Sequence, residues 1–146
     1  MNPDNPELLK RLREHEMRPT EARRLILALL GEKNDHLTPE GILKALQNHG
    51  YPMSIATLYQ NLNKLVEAGL LISIKDPNGL TRLDANLAPH HHLVCKTCGR
   101  MVDVKINQEN HLQKYPVDFQ TGISLSEWHI NHVNIEFQGT CPDCKN

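Results

Sequence analysis

Apolar residues recur along the first half of the chain at helical spacing, with polar punctuation between them. In PELLKRLREHEM (residues 6–17), Leu8, Leu9 and Leu12 share one face. In RPTEARRLILALLGE, Thr20 suits an N-cap, Leu25, Ile26, Leu29 and Leu30 form a stripe, and Gly31 suits the stop. In HLTPEGILKALQNHG, Thr38 caps, Pro39 takes the first helical position, Ile42, Leu43 and Leu46 face inward, and Gly50 ends the helix. In MSIATLYQNLNKLVEAGLL, Ser54 caps, Ile55, Leu58, Leu62, Leu65 and Val66 fall within one arc, and Gly69 closes. The runs LISIK and LTRLD then alternate around DPNG, a strong turn signal. Short capped helices followed by a β-hairpin predict a winged helix-turn-helix.

The second half changes period. HHLVC and MVDVKI are strand-like and joined by CKTCGR, and HINHVNIEFQGTC alternates again before the final CPDCKN. Residues 107–121 are a weak helix candidate, broken by Pro116. The predicted fold class is mainly α with α/β: an N-terminal winged helix-turn-helix and a small C-terminal α/β lobe. The expected division is 1–83, a hinge at 84–89, and 90–146. No internal repeat or low-complexity tract appears.

Composition adds two constraints. With one Trp and two Phe among 146 residues, the core must be Leu, Ile and Val, and each half-sized lobe buries little surface without a metal or a dimer interface. Charge is balanced: residues 1–88 carry 11 Lys/Arg against 11 Asp/Glu, and residues 89–146 carry 5 against 6, so any nucleic-acid binding must come from local geometry. No run approaches the roughly 18–20 apolar residues of a membrane span, and MNPDNPELLK is not a signal peptide, so a cytoplasmic location is the expectation.

The four cysteines, Cys95, Cys98, Cys141 and Cys144, all belong to CxxC pairs. Two such knuckles can supply four thiolates to one tetrahedral structural zinc. The 42 residues between the pairs exceed the gap of a compact finger, so the site would pin the C-terminal tail onto the first hairpin. A redox pair or unrelated cysteines are the alternatives, although a redox CxxC usually opens a helix, and CKTCGR joins two strands.

Before the first knuckle stand three histidines. Alternation along a strand puts His90 and His92 on one face and His91 on the other. An HxH pair is a two-ligand unit for a divalent transition metal, and Asp84 and Asp103 lie near in sequence. Because the cysteine quartet is complete, this would be a second site, suited to Fe(II), Mn(II) or Zn(II). The alternative is a solvated histidine-rich edge strand. His15, His49 and His111 read as surface residues, while His129 and His132 are candidates for a third, weaker site.

The outer face of the fourth helical segment carries Ala56, Thr57, Gln60, Asn61 and Lys64, with Tyr59 at its flank. Such an uncharged-polar face suits the major groove: Thr and Ala against thymine methyls, Gln and Asn against adenine, Tyr and Lys on phosphates. An ordinary solvated face is the alternative, though those carry more Glu and Lys. Arg18, Arg23 and Arg24 could add backbone or minor-groove contacts.

RPTEARRLILALL, HLTPEGIL, SIATLYQNLNKLVEAGLL, TRLDANLAPHHHLVCKTCGRMVDV and GTCPDC, in this order and spacing, resemble the ferric uptake regulator family of metal-dependent bacterial repressors over residues 8–144. The resemblance implies a homodimer that binds double-stranded, palindromic, AT-rich DNA when a sensory metal is loaded. It maps the inter-domain site onto His36, Asp84, His90, His92 and Asp103, adding His36 to four residues already picked. The candidate DNA contacts are Arg18, Ser54, Ala56, Thr57, Tyr59, Gln60, Asn61 and Lys64. Asp84 and LYQNL look closest to the peroxide-sensing branch, in which Fe(II) at this site leads to oxidation of a ligand histidine, His36 or His90, and Mn(II) does not. Pro89 and His91 stand where the iron-sensing branch has a histidine and an aspartate of a third site. A zinc hydrolase would need an open metal position beside a general base in a cleft, and no HExxH appears. A zinc-ribbon interaction module is the remaining alternative.

Overall fold

A computed structural model describes residues 1–32, 36–105, 128–129 and 134–145. Four helices come first: α1 Pro6–Glu14, α2 Glu21–Glu32, α3 Pro39–Asn48 and α4 Ile55–Glu67. The capping chemistry explains three of their starts. Asn5, Thr38 and Ser54 each accept a backbone N–H from the first turn, of Glu7, Gly41 and Thr57 respectively. Pro39 occupies the first turn of α3, where its missing N–H costs nothing. Gly50 and Gly69 follow α3 and α4 at φ +83° and +74°, the left-handed conformation that ends a helix. Gly31 does not stop α2, which runs one residue further, to Glu32.

The helices enclose one leucine-rich core. Leu12, Leu25, Ile26, Leu29, Leu30, Ile42, Leu46, Leu58, Leu62 and Leu65 are buried in it together with Leu70, Leu71 and Leu83. α2 lies at its centre, with Leu25 to Leu30 all buried. One assignment from periodicity fails: Ile55 shares the arc of Leu58 and Leu62 but is 53% exposed. It is the first residue of α4, and that end of the helix projects beyond the core. Val66, at the other end, is partly buried against the core as expected.

The wing is an antiparallel hairpin of β1 Ile72–Lys75 and β2 Thr81–Asp84, with Ile72 opposite Asp84. A second sheet is formed by β3 His91–Cys95, β4 Met101–Val104 and β5 Glu136–Gly139, in the order β4-β3-β5. β3 runs antiparallel to β4 and parallel to β5. A final turn of helix, α5 Pro142–Lys145, follows. The helix candidate at 107–121 and residues His111 and His132 lie outside the described residues. Among the described residues, no helix is long and apolar enough to cross a membrane.

The two sheets meet through the short segment 36–37. Leu37 bridges Leu83 of β2, with Leu83 N–H donating to the Leu37 carbonyl at 2.9 Å. His36 N–H donates to the Met101 carbonyl of β4 at 3.3 Å. His36 is thus pinned between wing and C-terminal sheet by its backbone before its side chain does anything.

Candidate metal centres

The cysteine quartet assembles as its spacing predicts. Cys95 ends β3, Cys98 sits in the turn to β4, and Cys141 and Cys144 flank the start and body of α5. β5 returns beside β3, with Cys95 opposite Gly139, and this brings the second knuckle to the first. All four sulfurs lie within 4.8 Å of one another, and none is in a disulfide. Cys98 Sγ and Cys141 Sγ are 3.8 Å apart. A tetrahedral ion with Zn–S bonds of about 2.3 Å sets its sulfurs about 3.8 Å apart, so the donors fit zinc.

The electrostatics point the same way. Cys95 Sγ accepts the Cys141 backbone N–H at 3.3 Å. This amide and that of Cys98 draw the Cys95 thiol down to about 6. Cys144 is pushed up, to about 12, by the Cys141 and Cys98 thiols beside it. One thiolate is therefore easy to form and the last is hard, because negative charge accumulates at one point. A bound cation removes that obstacle.

The second cluster is built from three stretches of chain. His36 comes from the segment before α3, Asp84 from the end of β2, and His90, His92 and Asp103 from β3, its lead-in and β4. His92 lies directly opposite Asp103 in the β3–β4 ladder, so imidazole and carboxylate share a face. One ligand atom from each of the five lies within 4.8 Å of all the others. His36, Asp84, His90 and His92 are buried, and the Asp103 side chain is 18% exposed.

The Nε2 atoms of His36, His90 and His92 face the carboxylates. His36 Nε2 is 3.1 Å from Asp84 Oδ2 and 3.2 Å from Asp103 Oδ1. His90 Nε2 is 2.8 Å from Asp84 Oδ2 and 3.0 Å from His92 Nε2. Yet His36 Nε2, Asp84 Oδ2 and Asp103 Oδ1 are all buried without an aligned hydrogen bond. Atoms this close that do not bond one another are aimed at a point between them. Ligand atoms about 2.1 Å from one divalent ion stand about 3.0–3.5 Å from their neighbours, and most of these separations fall in that range, with His90 Nε2–Asp84 Oδ2 at 2.8 Å and His92 Nε2–Asp84 Oδ2 at 3.8 Å just outside it. Leaving buried polar atoms unpaired costs free energy, so an ion there removes a penalty as well as gaining bonds.

Asp84 is held ionised. Burial pushes its carboxyl up, but the His36 and His92 imidazoles facing it and the Asn86 amide outweigh burial and leave it well below the usual carboxylate range. His90 is held in one tautomer: Nδ1 is 2.6 Å from the Ala88 carbonyl, which can only accept. Nδ1 therefore carries a proton, and Nε2 is the nitrogen turned toward the cluster. His91 points away, as alternation requires, and its Nδ1 accepts the Ile135 N–H at 3.0 Å. His129 is exposed and belongs to neither cluster.

Sequence reasoning missed two features that frame this site. Arg82 on the wing donates from Nε to Asp76 Oδ2 at 3.0 Å and from Nη1 to the His36 carbonyl at 3.1 Å. Its guanidinium lies over Gly99, where an added Cβ would stand 2.6 Å from Nη2. The wing turn thus touches the turn that carries Cys98. Asp76 is fully buried and also accepts the N–H groups of Asn78 and Leu80. The second feature is Asn86, which bonds both carboxylates of the cluster. The spacing of Asp76 and Arg82 across a tight turn was a usable signal for the first; DANLAP read only as a hinge.

On the helical side, Ala56, Thr57, Tyr59, Gln60 and Lys64 are exposed on α4. Ser54 Oγ is engaged as the cap. Asn61 is half-buried and donates Nδ2 to the Thr57 carbonyl at 2.8 Å, so it is less free than its helical position suggested. Tyr59 Oη donates to Glu40 at 3.1 Å. Arg18 is exposed, Arg23 bonds the Arg18 carbonyl, and Arg24 pairs with Asp4.

Comparison with known proteins agrees with this architecture. The peroxide-responsive repressor PerR of Staphylococcus aureus (strain USA300) is 27% identical over 139 residues, covering 95% of this chain and 90% of the relative. The Vibrio cholerae ferric uptake regulator (Fur) superposes with a TM-score of 0.70 at 21% identity, covering 91% of this chain and 98% of that one. The structure described as GAS PerR-Zn-Zn gives a TM-score of 0.50 at 29% identity over 95% and 85% of the two chains. The model of the ferric uptake regulator family matches residues 14–133, and the chain belongs to that family of metal-dependent, DNA-binding transcriptional regulators.

Proposed function

We propose that this protein is a repressor that reports peroxide through a divalent metal held by His36, Asp84, His90, His92 and Asp103. The observation that carries the regulatory reading is the convergence of these five ligand atoms from the wing side and the C-terminal sheet on one buried point. Residues 1–83 act as the DNA-binding unit, 84–89 as the hinge, and 90–146 as the dimerisation unit. His36 and Asp84 belong to the first unit and the hinge, and the other three ligands to the second. Binding all five to one ion fixes the angle between the units. In a homodimer that angle sets the separation of the two α4 helices, and only one separation matches half-sites about one helical turn apart on a palindromic operator. The ion's preference for the closed arrangement is then the coupling free energy.

In this reading Cys95, Cys98, Cys141 and Cys144 hold a structural zinc that closes the C-terminal sheet onto its tail. One zinc per chain should survive dialysis in the wild type and be lost from Cys98→Ser. Ala56, Thr57, Gln60 and Lys64 face the major groove, with Tyr59 at the flank.

Two things favour peroxide sensing over metal-uptake control. Relatives 27% identical over nearly the whole chain are peroxide-responsive repressors, and Asp84 is the carboxylate that branch carries. A bound Fe(II) would activate hydrogen peroxide: a ligand imidazole would give up two electrons and take one oxygen, and the other oxygen would leave as water. The chain's own residues contribute position: His36 is fixed by Met101 and Arg82, and His90 by Ala88. Loss of either imidazole as a donor opens the inter-unit clamp and releases DNA, whereas Mn(II) supports DNA binding without this chemistry.

The test is aerobic Fe(II) loading, brief peroxide treatment and peptide mass spectrometry. A gain of one oxygen on His36 or His90, with loss of DNA binding, is expected. Unmodified histidines with DNA binding intact would leave a metal-uptake regulator of the same family as the reading.

A further inference from the structure

The five ligands include two carboxylates with four oxygens between them, and these divide into two kinds. Asp84 Oδ2 and Asp103 Oδ1 point into the cluster and are buried with no aligned hydrogen bond. Asp84 Oδ1 and Asp103 Oδ2 point out of it, and both bond the same residue. The Asn86 backbone N–H donates to Asp84 Oδ1 at 2.7 Å. The Asn86 side-chain Nδ2 donates to Asp103 Oδ2 at 2.6 Å, across 17 residues of sequence.

The third polar group of Asn86 is used as well. Its Oδ1 accepts the Ala88 N–H at 3.2 Å, and Ala88 in turn holds His90 Nδ1 on its carbonyl. One half-buried asparagine is therefore connected to three of the five ligands. Its own amide assignment follows from these contacts: a carboxylate can only accept, so Nδ2 must face Asp103, and Oδ1 must face the Ala88 N–H.

We infer that Asn86 is the positioning residue of this site: it fixes which oxygen Asp84 and Asp103 each present and, through Ala88, which nitrogen His90 presents. This rests on the five-ligand reading above. Two occupied oxygens leave each carboxylate able to give one oxygen to an ion. Neighbours that orient ligands in this way typically change metal affinity by about 10–100-fold when removed. Asn86 also lies in the proposed hinge, so the same contacts tie the hinge conformation to the ligand set.

The inference is tested with zinc-replete protein, adding Co(II) as a spectroscopic probe and Mn(II) in competition with a chelator. Wild type should take up one ion beyond the cysteine-bound zinc. Asn86→Ala should bind Mn(II) at least tenfold more weakly and show weaker Co(II) visible bands, because a carboxylate released from Asn86 can use both oxygens and raise the coordination number. Asn86→Asp keeps the backbone donor and the acceptor for Ala88 but turns a carboxylate on Asp103. It isolates the Asp103 contact, should lose at least as much affinity, and decides the matter if the alanine variant does not fold. A structural role alone would lower thermal stability equally with and without metal and leave the Co(II) spectrum unchanged, which would overturn the inference. So would Mn(II) binding within twofold of wild type in both variants. If wild type itself takes up no second ion, the five-ligand reading fails first and the inference falls with it.

Discussion

Replacing Asp76 by alanine should destabilise the protein by about 3 kcal/mol, because it leaves a largely buried guanidinium without its carboxylate. The Asp76 side chain is fully buried and that of Arg82 is 13% exposed. Removing one partner of a buried pair costs about 3–5 kcal/mol, most of it from stranding the other charge. The lower end applies here, since Arg82 keeps the His36 carbonyl and some water. The Asn78 and Leu80 amides also lose an acceptor, but both residues are exposed and water replaces it. For a chain of this size the melting temperature should fall by roughly 6–12 °C. The assay is urea unfolding of zinc-saturated protein, with thermal unfolding as a second readout. A loss below about 0.5 kcal/mol, the range of ordinary surface substitutions, would refute the claim that Arg82 depends on this buried carboxylate.

Two further predictions concern the same contact. Burial raises the Asp76 carboxyl, but the Leu80 amide, Arg82 and the Asn78 amide outweigh it, so its pKa is lowered on folding. Its contribution is then fully present above the ordinary carboxylate value of about 4 and is lost as pH falls through the lower folded value. The stability gap between wild type and Asp76→Asn, measured by urea unfolding, should therefore be constant near neutrality and close only below about pH 4; a gap that closes near pH 6 would contradict this. Gly99→Ala should cost more than Gly79→Ala. Both glycines have positive φ, +74° and +79°, worth about 1–2 kcal/mol each. Only at Gly99 does the new Cβ meet a pinned guanidinium, and Gly79 has open space. Equal losses on urea unfolding would mean that Arg82 moves aside freely.

What the sequence made legible was local. The Thr38 and Ser54 caps, the DPNG hairpin, and the alternation that separates His91 from His90 and His92 each depend on neighbours within a few residues. The cysteine quartet was legible too, because two CxxC knuckles form a closed donor set whatever lies between them. Ile55 shows where periodicity runs out: it gives the face of a helix but not how far along it the core extends. His36 entered only through family resemblance, since no local pattern ties it to His90, 54 residues later. Arg82 over Gly99 and Asn86 on Asp103 are contacts between distant stretches and were not legible at all.

The central claim is that one ion shared by His36 and the C-terminal ligands sets DNA affinity. It is tested most directly on an operator selected from random DNA by the Mn(II)-loaded protein. Dissociation constants at fixed salt would be measured by fluorescence anisotropy for wild type and His36→Ala, with and without Mn(II), both carrying the cysteine-bound zinc. Mn(II) should tighten wild-type binding at least about tenfold, a coupling of about 1.4 kcal/mol, and leave His36→Ala unchanged. Equal tightening of both proteins, or of neither, would contradict the account.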